Sequence, residues 1–464
     1  MWYAPDGTQF CEITEKEALR AAEKYFGHPV ELTQYPDVLD TWFSSGLWAF
    51  STLGWPDETP ELKKYYPTSV LVTGFDIIPF WVARMLMMSM YVMKQVPFKD
   101  IFIHGLVRDE HGQKMSKSKG NGIDPLQMCD KYGTDAVRYA LLAQAGHGRD
   151  VLVGDTTIEN ARNFITKIWN AVKFCEMNNC HLDPSFNPGT IRLTLNKWIV
   201  TRLAEAVEKI GAAIETYSFN DATGTLYHFI WGTFCDRYLE AIKPIFYGSN
   251  PEDQAETRAT VALVRDSLLQ VIQPFMPFLA ETLWTETETR SQMIMETTWP
   301  ELKAYKDETA AKQIDWLFDL IGAVRSVRAE VNIPAATKIS LKIKGATADQ
   351  QDQIQNQAVL IQTLARVESF EFANEPITGV ISEVFDGMTL QIPLLGVIDV
   401  EAEKARLIKE IENQSAFVER TKIQLENQAF IAKAPEKIVS AKRLSMEEAA
   451  KSVEKMRDVL AHLS

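Results

Sequence analysis

The run from Ser69 to Val107 limits what this chain can fold into more than any other stretch. "SVLVTGFD" (69–76) reads as a buried strand ending in a glycine turn, "IIPFWVARMLMMSMYVM" (77–93) as an apolar helix and "DIFIHGLV" (100–107) as the next strand. The helix approaches the ~20 residues that cross a bilayer. Arg84 sits at its middle, Pro79 lies near its start, and Asp76 and Lys94 flank it, so the expected setting is a buried α/β core and not a membrane. "GTDAVRYALL" (133–142) begins a further helix, which gives the first part of the chain an α/β texture. Open α/β sheets bind ligands beyond the ends of their strands. Two places therefore become candidate sites: the turn carrying Gly74 and Asp76, and the segment that follows Val107.

That segment is "HGQKMSKSKGNGIDPLQM" (111–128), in which Lys114, Lys117 and Lys119 stand among Ser116, Ser118, Gly112, Gly120 and Gly122. The 464-residue chain carries 48 Lys and Arg against 62 Asp and Glu, a net charge of −14, so a cationic loop is out of character with its surroundings. One reading is a solvated charged turn. The other is a phosphate clamp: glycines let the loop close, and ammonium groups meet the charge that builds on the phosphates of ATP and leaves as pyrophosphate. A given run such as Lys-Met-Ser-Lys-Ser arises by chance in a chain of this length on the order of once in ten thousand tries.

From Asp155 the texture becomes long amphipathic helices. Thr156 and Glu159 have capping-box spacing, Phe164, Ile168 and Val172 recur at helical intervals, and further helices are expected near 190–217, 220–246, 253–284 and 309–331. A small α/β piece follows, with strands at "KISLKIKG" (338–345), "SFEFA" and "MTLQIPL" around one helix. In the tail, Met446, Ala449, Val453, Met456, Leu460 and Leu463 form a heptad seam, and Leu407, Ile411, Val418 and Leu425 a looser matching stripe. With Pro435 between them, an antiparallel helical hairpin is expected. From Asp399 onward 12 Lys and Arg balance 12 Asp and Glu, so the body carries the negative charge and the tail is the part most tolerant of a polyanion. A packing or dimerisation hairpin is the alternative. Five scattered cysteines suit reduced thiols, and Cys175, Cys180 and His181 lack the second ligand pair of a zinc site. No charged-then-apolar leader opens the sequence, and a soluble cytoplasmic protein is expected.

"KMSKS" resembles the signature loop of class I aminoacyl-tRNA synthetases, and "IHGLVRDEHGQKMSKSKGNGIDP" resembles their valine-specific branch. "DVLDTWFSSGLWAFSTLGWP" (37–56), "GFDIIPFWVARM" (74–85), "RAEVNIP" (328–334) and "FIAKAP" look like the same branch, and "RNFITKIWNA" is shared more loosely with leucine and isoleucine enzymes. The resemblance implies ATP-dependent activation of valine, with release of pyrophosphate, and transfer to tRNA(Val). It implies that Lys117 contacts ATP with Lys114 as helper, that Ser116, Ser118, Gly74 and Asp76 complete the nucleotide site, and that Trp42, Ile77 and Trp81 line the side-chain pocket. Mg2+ would come with ATP, no resident metal is expected, and the chain is expected to act as a monomer. The implied plan is a partial Rossmann-type catalytic domain (1–150), a helical anticodon-binding bundle (151–334), a small α/β subdomain (335–395) and a coiled-coil tRNA-binding arm (396–464).

Two features of that family are not found. None of the seven histidines forms a His-x-Gly-His element, and no editing domain precedes "MWYAPDG", which resembles the point where the family's chain re-enters the catalytic domain. Gly122 and Pro79 stand where the family usually has larger apolar residues. The expectation is therefore a C-terminal part of a valine–tRNA ligase that does not activate valine alone. A non-catalytic tRNA-binding protein and an isoleucine or leucine enzyme are the alternatives.

Overall fold

A computed structural model describes residues 1–115, 120–146, 148, 150–183, 185–373, 380–394, 396–397, 400–427 and 436–463. These form two units, 1–114 with 145–152, and 115–144 with 153–464.

In the first unit β1 (Trp2–Tyr3) pairs antiparallel with β2 (Gln9–Phe10) and β3 (Thr33–Gln34). Helix α1 (Glu15–Phe26) opens on a Thr14–Glu17 capping box, closes on Gly27 at φ 75°, and buries Ala18 and Ala22 against Trp2, Ala4 and Phe10. A second core forms where α2 (Thr41–Ser51), capped by Asp40, and α3 (Pro60–Tyr65) bring Phe50 and Leu62 against Leu71, Val82, Met85 and Phe98. The strands β4 (Thr68–Gly74) and β5 (Phe98–His104) run parallel, in register from Thr68 opposite Phe98 to Gly74 opposite His104. Between them the chain makes a 3₁₀ turn (Phe75–Ile77), a π-turn (Ile78–Val82) and then α4 (Ala83–Val92). Pro79 falls in the first turn of that segment, where its missing N–H leaves no helical bond unmade. At Gly46 the two helices approach closely, since a Cβ there would lie 3.3 Å from the Arg84 Cβ. The unit ends with β6 (Val107–Arg108) parallel to β7 (Val151–Leu152).

The expectation of a buried strand and a buried helix over 69–93 needs correction. Val72 on β4 is 57% exposed and, on α4, only Met85 and Ser89 are buried while Met87 and Tyr91 are 71% and 76% exposed. The physical reason is that β4 and β5 pair only with each other among the described residues, so α4 has one covered face, the one against α2. Parallel strands are ordinarily covered on both faces.

The second unit opens with α5 (Pro125–Tyr132), capped by Asp124, and α6 (Thr134–Gln144). The bundle continues through α7 (Asp155–Met177), α8 (Thr194–Glu215) and α9 (Phe219–Tyr227). The helix expected over 220–246 proceeds from α9 through a π-helical stretch (His228–Tyr238) into the short turns α10 (Leu239–Ala241) and α11 (Lys243–Phe246). Then come α12 (Pro251–Ile272), α13 (Pro277–Thr287) and α14 (Glu308–Glu330). Several buried polar groups in this bundle are paired, though the buried Asp135 Oδ1 on α6 has no hydrogen-bond partner among the described residues. Trp198 donates to Asp315 at 2.8 Å and Tyr238 to Asn196 at 2.8 Å, while Arg265, 1% exposed, donates to Asp266 and to the Cys180 carbonyl, both at 2.8 Å. Cys175 and Cys180 are fully buried. Burial drives both thiols upward, Cys180 to about 12, so both are neutral packing groups at working pH.

The small α/β piece is a four-stranded sheet in the order β10–β11–β8–β9, from β8 (Ile339–Lys344), β9 (Val367–Phe372), β10 (Val380–Phe385) and β11 (Met388–Pro393). Its helix is broken at Gln357 into α15 (Ala348–Asn356) and α16 (Ala358–Ala365). In the tail α17 (Val400–Glu426) and α18 (Glu436–Leu463) pack against each other, and Lys442 donates to Gln424 at 2.9 Å. Leu407 is buried and Ile411, Val418 and Leu425 half-buried on α17; Ala449 and Val453 are buried and Met446, Met456 and Leu460 half-buried on α18. The Leu463 side chain and Pro435 lie outside the described residues.

Candidate active site

The ends of β4 and β5 bring Gly74, Asp76 and His104 together. Parallel register sets Gly74 opposite His104, and the 3₁₀ turn folds Asp76 back toward the strand it has just left. An added Cβ on Gly74 would lie 2.6 Å from the Asp76 Oδ1, 3.6 Å from the His104 Cε1 and 3.7 Å from the Leu106 Cδ2. Only glycine leaves room for that carboxylate. Asp76 and His104 are both exposed, and the His104 Nδ1 lies 2.8 Å from the Gly105 carbonyl oxygen, which fixes the ring.

Beyond β6 the chain turns back on itself. Asp109 Oδ1 accepts from the backbone N–H groups of His111 at 3.1 Å and Gln113 at 2.7 Å, Gly112 takes φ 75°, and Lys114 bridges antiparallel to Arg108. The base of this hairpin is pinned by Asp150, which accepts from the Arg108 Nε and, at 3.0 Å, from the Leu106 N–H. The Arg108 guanidinium and that N–H hold the Asp150 carboxyl below its ordinary range, so it is ionised at neutral pH. Lys114 is exposed at the end of the hairpin. Ser116, Lys117, Ser118 and Lys119 lie outside the described residues.

Trp42, Ile77 and Trp81 are all half-buried where the first turn of α2 meets the turns preceding α4. The two tryptophans pair with different rings: Trp42 lies 5.7 Å from Phe80 and Trp81 lies 6.2 Å from Trp48, centroid to centroid. Because Phe80 and Trp81 are consecutive, the π-turn sends them to different neighbours. Among the described residues no group of three or more His, Cys, Asp or Glu converges as a metal site.

His104, Arg108 and Asp150 join the candidate site only through pairings between residues distant in sequence. The pairing register of two parallel strands joins His104 to Gly74. Arg108 and Asp150 are separated by 42 residues, and no local pattern marks such a pair.

Three family models match this chain. "tRNA synthetases class I (I, L, M and V)" covers residues 7–153, "Anticodon-binding domain of tRNA ligase" covers 196–343, and "Valyl tRNA synthetase tRNA binding arm" covers 399–464. A valine–tRNA ligase of Brucella suis is 46% identical over 459 residues, taking in 97% of this chain and 50% of the relative. One from Agrobacterium fabrum is 44% identical over 491 residues, taking in 100% of this chain and 52% of the relative. The chain thus spans about half the length of the curated relatives it matches. Among solved structures, a LeuRS–tRNA–LeuAMS ternary complex from Agrobacterium radiobacter superposes with a TM-score of 0.50 at 16% identity, over 78% of this chain and 45% of the other, a likeness of fold alone.

Proposed function

We propose, for a chain that belongs to the valine branch of the class I tRNA synthetases, that it supplies one half of a valine-activating site and the parts that hold tRNA(Val). The valine carboxylate attacks the α-phosphorus of ATP and pyrophosphate leaves. The tRNA 3′ end then attacks the activated carbonyl and AMP leaves.

The observation that carries it is the junction at the ends of β4 and β5, where a bare Cα at Gly74 lies beside the Asp76 carboxylate and the His104 ring, and β5 leads on to the hairpin bearing Lys114. The adenylate lies against Gly74 and Asp76, with His104 added to that wall. Lys117, helped by Lys114, Ser116 and Ser118, meets the charge on the departing pyrophosphate. Magnesium accompanies the phosphates of ATP. Trp42, Ile77 and Trp81 form a rigid apolar wall that refuses isoleucine by size. Such a wall refuses the isosteric threonine only ~10²-fold, a figure established for enzymes of this branch and not read from this structure. The bundle takes the anticodon limb, and α17 with α18, as an antiparallel coiled coil, braces the outer corner of the tRNA. The setting is the cytoplasm and the working form a monomer. The curated relatives are ligases for valine, which speaks against the purely RNA-binding and the isoleucine or leucine readings.

Gly74→Ala tests the junction. The cheapest relief of the 2.6 Å approach is for the Asp76 carboxylate to swing away, which leaves the fold standing and the wall displaced. With this chain joined to the N-terminal half of the Brucella suis relative, valine-dependent ATP–pyrophosphate exchange should fall by roughly 10²-fold, the usual cost of a displacement of about 1 Å, with the thermal midpoint nearly unchanged. Unaltered exchange would remove Gly74 and Asp76 from the site.

A further inference from the structure

Where α14, the end of α16 and the turn α10–α11 meet, the second unit encloses a cavity of about 540 Å³. Its ionisable lining is Arg325, Arg328, Arg366, Lys243 and Glu240, a positive excess in a chain of net charge −14. Lys243 is already satisfied, donating to both Glu240 oxygens at 2.6 and 2.7 Å. Among the described residues the guanidinium groups of Arg325, Arg328 and Arg366 have no carboxylate partner. Arg328, 5% exposed, forms the floor and donates only to backbone carbonyls: Ala365 and Arg366 at 3.1 Å, Pro334 at 3.0 Å and Thr337 at 2.7 Å. The block "RAEVNIP" is thereby tied to the end of α16. Burial, followed by repulsion from Arg366 and Arg325, disfavours the charged form of Arg328, as expected of a cluster of like charges without a counter-ion.

Arg325 spends its Nε on the Leu364 carbonyl at 2.9 Å. The Arg366 side chain makes no hydrogen bond or ion pair among the described residues, and its backbone is left-handed at φ 54° where it ends α16. Two exposed guanidinium groups thus flank a cavity whose charge is uncompensated. Paired guanidinium groups bind phosphate oxygens through charge-assisted, often bidentate hydrogen bonds. The cavity volume lies within the range of small-ligand sites, ~300–1,000 Å³, large enough for one nucleotide.

We propose that this cavity is a subsite for a backbone phosphodiester of the anticodon limb of tRNA, with Arg325 and Arg366 as its contacts and Arg328 as its fixed charge. The proposal rests on the tRNA-binding reading above. Its probes are the anticodon stem-loop of a valine tRNA and the whole transcript, each titrated against this chain over a series of salt concentrations. The variant is Arg325→Gln with Arg366→Asn: glutamine retains a donor for the Leu364 carbonyl, and asparagine tolerates the left-handed backbone. The control is Lys303→Gln with Lys312→Gln, which removes two exposed charges elsewhere on the same unit.

The expected result is a loss of stem-loop affinity of about tenfold or more at low salt. The slope of log K against log salt should fall by about 1 to 2 as one or two phosphate contacts vanish, with a much smaller change in the control. If the variant binds both RNAs like the parent, or the control loses as much, the subsite is wrong and the tRNA reading stands. If the parent chain binds neither RNA, the tRNA reading fails and the subsite with it.

Discussion

Lys117→Ala should lower valine-dependent ATP–pyrophosphate exchange by roughly 10²–10³-fold, the range for losing one preorganised electrostatic contact to a transition state, while tRNA affinity stays nearly unchanged. The measurement is made on this chain joined to the N-terminal half of a curated relative. The reasoning starts from charge. In a chain of net −14, anionic phosphates are repelled everywhere except where cations are concentrated, and the run from Lys114 to Lys119 is such a place. A lysine on a glycine-flanked loop can follow pyrophosphate as it departs, which a rigid guanidinium fork does less well. The hairpin that ends at Lys114 is fixed: Asp150 holds Arg108 and the Leu106 N–H, and Asp109 holds the turn before Lys114. Lys114→Ala should have the smaller effect of the two. A large loss of tRNA binding by Lys117→Ala would contradict the role assigned to the loop.

Removing residues 396–464 should produce the opposite pattern. Binding of a valine tRNA transcript should weaken by roughly 10- to 100-fold at low salt, as several phosphate contacts disappear, while valine-dependent exchange in the joined enzyme stays close to that of the parent. From Asp399 onward 12 cations balance 12 anions while the body carries the whole −14. Lys409, Arg420, Lys422, Arg443, Lys451 and Arg457 are exposed on it. Leu407, Ala449 and Val453 are buried along its seam, while Ile408, Phe417, Ile423, Ile438 and Leu444 are exposed beside these cations. Equal losses in exchange and in tRNA binding would mean that the hairpin supports the body and does not hold RNA.

How far the residues announced all this depended on the range of the interactions involved. Local signals carried unevenly. The alternation of β8 from Ile339 to Lys344 and the spacing of Met446, Ala449, Val453 and Met456 correspond to an observed strand and inward faces. The Thr156–Glu159 spacing makes no cap, because α7 already begins at Asp155 after an N-cap Gly154 that has no side chain to accept. The capping box that does form, Thr14–Glu17 on α1, was not expected. Apolar character failed as a guide to burial over 69–93. Hydrophobicity says that a segment can be covered, and only the neighbours decide whether it is. Interactions distant in sequence were invisible. Gly74 could be picked as a turn residue, but its reason is the Asp76 carboxylate and the strand bearing His104. The cationic cavity has the same character, because Arg325 and Arg366 meet only when α14 and α16 are packed together. The block "RAEVNIP" was recognised as specific without any indication that Arg328 uses it to gather four carbonyls.

The central claim is that this chain provides one half of a valine-activating site. Its most direct test is ATP–pyrophosphate exchange driven by valine, isoleucine or leucine, measured on the 464-residue chain alone and on the same chain joined to the N-terminal half of the Brucella suis relative. The expected result is no useful exchange by the chain alone, since the seven histidines provide no His-x-Gly-His partner for the lysine loop, and exchange in the joined protein that prefers valine. Exchange by the chain alone, or a joined protein that prefers isoleucine or leucine, would contradict the claim.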